Sequence, residues 1–271
     1  MLRDIPGVLA VETAETPDAF ADTTILYSIC YESGGCQVMG YAALSKDASV
    51  PLPCIIYNRG GNKDFGYLRP ESICRFAEKG FIVLGSQYRG NMGGTGSEEF
   101  GGADVDDVIK LIDIALLLPI CKKDGVYMVG HSRGGMMTYL ACSRDSRIKA
   151  AVVGAGLSDC FLMYETREQS MKDVFHELVG GGPDEKRDAF IARSATYWAE
   201  KIIPPMLICQ GTDDWRVVPE QSHKIYQKLK DSGKECRLII YDGADHSLRG
   251  TTFVSDAIQW LNDHPLGKKD Y

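Results

Sequence analysis

A serine between glycines, a histidine and a pair of aspartates are the residues whose types and spacing could do chemistry together in this sequence. Gly130-His131-Ser132-Arg133-Gly134 is a G-x-S-x-G motif. The apolar run Val126-Tyr127-Met128-Val129 ahead of it reads as a buried strand, and Met136, Met137, Tyr139, Leu140 and Ala141 behind it carry helical spacing. Strand, glycine-flanked serine and helix together make a nucleophile elbow. Gly130 and Gly134 allow strand and helix to approach closely. The turn lifts the Ser132 hydroxyl clear of the sheet and aims the first amides of the helix at the place where an oxyanion would form.

A serine hydroxyl is a weak nucleophile at neutral pH and needs a general base that a carboxylate orients. On an elbow the partners follow in the order serine, acid, histidine. Of the five histidines, His131 lies in the elbow, His176 in a helical stretch, His223 in a helix and His264 near the C-terminal end. His246 alone follows a strand, in Tyr241-Asp242-Gly243-Ala244-Asp245-His246. The acid is expected after the strand at 205–210, where Gly211-Thr212-Asp213-Asp214-Trp215-Arg216-Val217 offers two adjacent carboxylates. Neighbouring side chains point differently, so one of them addresses the imidazole and the other belongs to a turn or cap. Asp214 is the first choice and Asp213 the alternative.

The elements that must position these residues are legible as alternating patterns. Thr24–Tyr31 and Gln37–Leu44 alternate like strands around a glycine-containing loop, which predicts an antiparallel hairpin. Residues 1–22 read as an N-terminal extension packed on the body. Buried strands are expected at 53–57, 81–86, 126–130, 150–156, 205–210 and 237–241. Helices are expected at 70–79, 104–118, after the elbow, at 219–232 and at 251–263. The acidic first turn of the 104–118 helix (Asp104, Asp106, Asp107) suits the helix dipole. Strands alternating with helices imply right-handed crossovers and a mostly parallel central sheet with helices on both faces. The fold class is α/β, and residues 1–271 read as a single domain with a small helical cap inserted at about 158–202. Catalytic groups in such a sheet belong at the carboxyl ends of the strands.

Composition narrows the function classes. The formal net charge of −7 argues against nucleic acid and anionic membranes as partners. No apolar run approaches the roughly 20 residues of a membrane span, and no signal peptide is visible at the N-terminus. Nine scattered cysteines without a C-x-x-C pair predict reduced, mostly buried thiols, as in a cytoplasmic protein. No H-E-x-x-H and no helix-spaced histidine pair points to a metal. Gly93-Gly94-Thr95-Gly96 lacks the spacing of a dinucleotide site. The reading therefore calls for no cofactor and no metal.

With these motifs in order, the C-terminal two thirds of the chain resembles the catalytic domain of the prolyl oligopeptidase family, within the α/β-hydrolase fold. Gly211–Val217 looks like that family's acid motif, with its aspartate at the position of Asp214, and Gly243-Ala244-Asp245-His246 resembles its histidine loop. Tyr88-Arg89-Gly90, and Tyr197-Trp198-Ala199 with Ile202 before Pro205, also look like the family. Two features depart from it. About fifty residues precede the first crossover, too few for the family's β-propeller. Asn58-Arg59-Gly60-Gly61 stands where several family peptidases carry an oxyanion-binding tyrosine, with Arg59 nearest its position.

The resemblance implies a serine hydrolase of the peptidase or carboxylesterase type, with Ser132 as nucleophile, His246 as base and Asp214 as its orienting acid. Backbone amides of Arg133 and of Arg59 or Gly60 would form the oxyanion hole. The Arg59 side chain would either bind a substrate carboxylate or pair with an acidic neighbour. Asn58, Trp215, Tyr164 and Trp198 are candidate pocket residues. Ser97-Glu98-Glu99-Phe100 would be solvated or meet a substrate amine, and Arg89 would brace its loop on an aspartate. The substrate would be a small ester, an amide or a short peptide. An acyltransferase, or a binding protein on a hydrolase scaffold, is the alternative. The sequence leaves the oligomeric state open, a homo-oligomer with a neighbour in place of the propeller being one option.

Overall fold

A computed structural model describes residues 1–47 and 50–267. Strands β1 (Val8–Thr13), β2 (Thr24–Ser33) and β3 (Cys36–Ser45) come first, followed by β4 (Cys54–Asn58), α1 (Pro70–Ala77) and β5 (Ile82–Ser86). Next are α2 (Asp104–Leu117), β6 (Val126–His131), α3 (Arg133–Arg144) and β7 (Ile148–Gly154). Helices α4 (Cys160–Thr166), α5 (Gln169–Leu178) and α6 (Arg187–Arg193) intervene before β8 (Met206–Gly211), α7 (Pro219–Asp231), β9 (Cys236–Tyr241) and α8 (Phe253–Asp263).

The described strands form one sheet in the order β1-β2-β3-β5-β4-β6-β7-β8-β9. Strands β1 to β3 and the β3–β5 pair are antiparallel, and every pair from β5 through β9 is parallel. This is the mostly parallel α/β-hydrolase architecture with an antiparallel N-terminal edge. The reason lies in the strand sequences. Cys54–Asn58, Ile82–Ser86 and Met206–Gly211 are buried along their whole length, as strands covered on both faces must be.

Period-2 alternation then sends neighbours to opposite layers. Ile56, Met128, Val153 and Ile208 face a core shared with α2, α3 and α7. Ile55, Val129, Val152 and Leu207 face the core under α1 and α8. Among the described residues no helix is long and apolar enough to cross a membrane. All nine cysteines are free thiols, six of them buried.

Two expectations about the N-terminal region need correction. The stretch read as an extension contributes β1, which pairs antiparallel with β2 at the sheet edge. Of its six residues only Val11 is buried, so it carries no alternation for sequence reading to find. The hairpin turn is also tighter than expected, because pairing continues to Ser33 opposite Cys36 and leaves Gly34-Gly35 as the loop.

The insertion between β7 and β8 is helical, as expected. Its interior is an aromatic cluster in which Phe175 stacks on Phe190 at 4.9 Å and Tyr164 meets both rings edge-on. Arg193 fastens it to the sheet side by donating to the carbonyls of Glu99 and Phe100.

Candidate active site

Ser132 occupies the junction of β6 and α3 with φ 60° and ψ −126°. A non-glycine residue in that region is strained by about 1–3 kcal/mol and is held there by its surroundings. The helix sits hard against the sheet: a Cβ on Gly134 would come within 2.0 Å of the Asn58 carbonyl oxygen. Gly134 is therefore required by the close approach, and the approach is what carries Ser132 up to the carboxyl end of the sheet.

Three side chains from three strand ends meet there. The Ser132 hydroxyl donates to His246 Nε2 at 3.0 Å, and His246 Nδ1–H donates to Asp214 Oδ2 at 2.8 Å. The Asp214 carboxylate is buried, yet each oxygen is satisfied. Oδ1 accepts from the amides of Arg216 and Val217, both at 2.9 Å, and Oδ2 accepts from Gln210 Nε2 at 3.2 Å besides His246. Gln210 is itself fixed by the Val217 carbonyl and the Ser222 hydroxyl. Asp213 is exposed and bonds to the Thr212 hydroxyl, far from the role of its neighbour.

His131 was read only as part of the elbow, but it touches the same centre. Its Nε2–H donates to the His246 carbonyl oxygen at 2.8 Å, and the two rings lie 5.0 Å apart. Burial and the neighbouring His246 push its pKa down to about 4, so the imidazole is neutral. The sequence signal for this role was weak: one histidine adjacent to Ser132, with its acceptor more than a hundred residues away.

The loop after β4 covers Ser132. A Cβ on Gly60 would lie 2.9 Å from Ser132 Cβ, so the backbone at Gly60 runs directly against the serine. The loop is fastened from beneath by two arginines. Arg59 is 2% exposed and donates to the carbonyls of Gln87, Gly60, Gly66 and Lys63. It also lies 3.6 Å from Glu98. Its donors are consumed by the protein, which settles the Arg59 side chain as an internal brace and removes it as a carboxylate receptor. Tyr88 packs between Arg59 and Arg133, and its hydroxyl donates to the Arg59 carbonyl.

Arg133 is equally enclosed. It donates to the Gly61 carbonyl at 3.0 Å, to Glu98 at 2.9 Å and to Asp104, and its guanidinium faces the Phe100 ring at 4.7 Å. Burial works against its charge, but Asp104 and Glu98 outweigh burial and hold it firmly protonated. Burial would raise the Glu98 carboxyl. The Arg133 guanidinium, the Lys63 amide and Arg59 outweigh that and keep it below its usual value. Glu98 is thus neither solvated nor open to a substrate amine; it is the hub of a buried ion network. Asp104 and Asp107, read as dipole-complementing residues, are fully buried partners of Arg133 and Arg89. Arg89 braces its loop on Asp107 through its backbone amide and guanidinium, as expected.

Above this floor opens a cleft of about 990 Å³, reached by Ser132 and His246 and walled by Phe65, Tyr67, Met163, Met171 and Trp215. Of the four candidate pocket residues only Trp215 lines it. Asn58 is buried beneath the elbow, where it donates to Thr138. Trp198 is buried with its indole N–H on the Ile191 carbonyl, and Tyr164 belongs to the aromatic interior of the cap. The cap reaches the cleft through Met163, Arg167 and Met171 instead. Among the described residues no group of three or more His, Cys, Asp or Glu side chains converges as a metal site would require.

Comparison with known proteins places this geometry in context. A profile of the prolyl oligopeptidase family (Peptidase_S9) matches residues 69–264. The uncharacterized peptidase YtmA of Bacillus subtilis (strain 168) is 32% identical over 242 residues, covering 88% of this chain and 93% of that protein. The solved acylaminoacyl peptidase of Pyrococcus horikoshii superposes with a TM-score of 0.78 at 22% identity, over 92% of this chain and 43% of its own. Acetyl xylan esterase 1 of Thermoanaerobacterium sp. JW/SL YS485 gives 0.67 at 16% identity, over 95% and 88% of the two chains. The chain spans 35% and 31% of two longer curated peptidases that it also matches.

Proposed function

We propose that this chain, which belongs to the prolyl oligopeptidase family and is a serine hydrolase of the peptidase or esterase kind, opens ester or amide bonds through Ser132, His246 and Asp214. The observation that carries the assignment is the unbroken relay from the Ser132 hydroxyl to His246 at 3.0 Å and on to Asp214 at 2.8 Å. His246 takes the serine proton as Oγ attacks the acyl carbon, then returns it to the leaving alcohol or amine. Asp214 holds the Nδ1–H tautomer. Water activated by the same imidazole then hydrolyses the acyl-enzyme.

The oxyanion is proposed to sit between the amides of Arg133 and Gly60. Arg133 is the first residue of α3, where an N–H has no intrahelical acceptor, and Gly60 lies against the serine. Small esters, amides and short peptides fit a cleft of about 990 Å³. The free thiols agree with a reducing, cytoplasmic setting.

A fluorophosphonate probe tests the assignment. Wild type is expected to label covalently and Ser132→Ala to stay unlabelled; equal labelling of the two removes Ser132 as nucleophile. Turnover of matched p-nitrophenyl esters and aminoacyl p-nitroanilides then separates esterase from peptidase action.

A further inference from the structure

The charge of the cleft runs against the charge of the chain. The protein carries a formal −7, yet seven arginines and only two carboxylates, Glu71 and Asp245, line the cleft. Three of those arginines are neutralised by the protein: Arg59 and Arg133 by Glu98 and Asp104, and Arg167 by Glu168. Arg69, Arg75, Arg216 and Arg249 have no carboxylate within ion-pair distance among the described residues, and against these four the cleft sets only the carboxylates of Glu71 and of Asp245, which feels the charge of Arg249. The wall beside Ser132 thus keeps a surplus of guanidinium groups.

Arg216 is also held in place. Its guanidinium lies over Phe65 at 5.8 Å and over Trp215 at 5.3 Å, and Arg167 faces the same indole at 5.2 Å. Phe65 and Trp215 are each 61% exposed, which is unusual for aromatics of that size unless something covers them in use. A guanidinium lying over aromatic faces keeps its N–H edge for a planar anion and loses little freedom on binding one. Cationic walls in a cleft also concentrate anionic ligands.

We infer that the cleft selects acyl substrates bearing an anionic group, such as a carboxylate on the acyl or peptide portion, with Arg216 as the principal contact and Arg69, Arg75 and Arg249 supplying the field. The inference rests on Ser132 being the nucleophile of the proposed function, and it adds the class of substrate.

The test uses two alanine boronic acids, N-succinyl and N-succinamoyl, which differ by one carboxylate against one carboxamide. Each forms a tetrahedral adduct with an active serine, so each protects Ser132 from the fluorophosphonate whether the enzyme is an esterase or a peptidase. The succinyl compound is expected to protect at a concentration about tenfold lower, the combined effect of a few exposed charge contacts whose individual factors, each up to about fivefold, multiply. The ratio is expected to shrink in about 0.5 M NaCl, where screening acts within a few ångströms. It is expected to fall part way toward one in Arg216→Gln and to about one when Arg69, Arg75 and Arg249 are also changed to Gln. Equal protection by the two compounds, a preference for the succinamoyl compound, or a succinyl preference that survives the fourfold substitution overturns the inference. A wild type that the fluorophosphonate does not label at Ser132 overturns the underlying nucleophile assignment instead, so the two failures are distinguishable.

Discussion

The imidazole of His131 holds the backbone of His246: its Nε2–H donates to the His246 carbonyl oxygen at 2.8 Å while the two rings lie 5.0 Å apart. His246 is thereby tethered at its ring by Asp214 and at its main chain by a residue of the strand that ends at Ser132. The relay from Ser132 to His246 spans segments more than a hundred residues apart, and this second tether fixes their separation.

Removing it is expected to slow the reaction without unfolding the protein. In His131→Phe the ring volume stays but the donor is lost, and a small displacement of His246 costs about ten- to a hundredfold in the rate of fluorophosphonate labelling. In His131→Gln the side-chain amide can still donate, and part of the rate returns. Equal rates in wild type and His131→Phe would show that the tether does not position the base.

The same residue predicts how stability depends on pH. With its pKa pushed down to about 4 by burial and by His246, folded His131 stays neutral where the unfolded imidazole already binds a proton. A depressed histidine pKa therefore takes stability away as pH falls from about 6.5 toward 4, by at most about 3–4 kcal/mol. Urea unfolding at about pH 7 and about pH 4.5 should show wild type losing more stability across that interval than His131→Phe, in which this proton site is absent. The same loss in both proteins would contradict a buried neutral imidazole.

Asp214 and Asp213 give a sharp contrast for one carboxylate oxygen. Asp214→Asn leaves the side chain in its buried socket but presents His246 with an amide, favouring the wrong tautomer; ester turnover is expected to drop about 10³–10⁴-fold. Asp213→Asn alters only an exposed turn, and its turnover is expected to stay within about twofold of wild type. Steady-state kinetics on both variants, with circular dichroism to check folding, decides between the neighbours.

What the sequence disclosed follows from how local each signal is. The elbow, the strand-end histidine and the acid loop are each written in a few consecutive residues, and the continuous apolar runs of β4, β5 and β8 announce strands buried on both faces. Strand β1 went unseen because its single buried residue, Val11, has no alternating companion. Glu98 looked solvated or open to a substrate amine, and Asp104 and Asp107 looked like complements to a helix dipole, because their partners, Arg133 and Arg89, are brought to them only by the fold. Tyr164 and Trp198 looked like pocket aromatics because residue type does not reveal which way a side chain packs, and both turn into the cap.

The buried ion network should prove costly to open. Glu98→Gln withdraws a carboxylate from between Arg133 and Arg59 while keeping its size. Arg133 would retain Asp104 and Arg59 would retain its carbonyl acceptors, so the expected loss is about 2–4 kcal/mol, somewhat less than for a buried charge left wholly alone. Because Glu98 also accepts from the Lys63 amide in the loop over Ser132, fluorophosphonate labelling is expected to slow as well. Chemical denaturation at neutral pH checks the first effect. A change below about 0.5 kcal/mol would mean that the network is solvated.

Gly60 offers the most local test of the loop above Ser132. A methyl group there would stand 2.9 Å from Ser132 Cβ, closer than real Cβ atoms come, and 3.1 Å from the His131 carbonyl oxygen, a tight contact. The loop cannot absorb this cheaply, since Arg59 and Tyr88 pin its backbone and a Cβ at Gly61 would meet the Phe65 carbonyl at 2.0 Å. In Gly60→Ala the loop must therefore lift away from the serine, carrying the proposed oxyanion amide with it. Losing one such donor costs about 10²–10³-fold in turnover, whereas the strain on an outer loop should cost the fold only about 1–2 kcal/mol. A Gly60→Ala protein that keeps near wild-type turnover would place the second oxyanion donor elsewhere. One that loses activity only in step with its folded fraction would make Gly60 a packing residue alone.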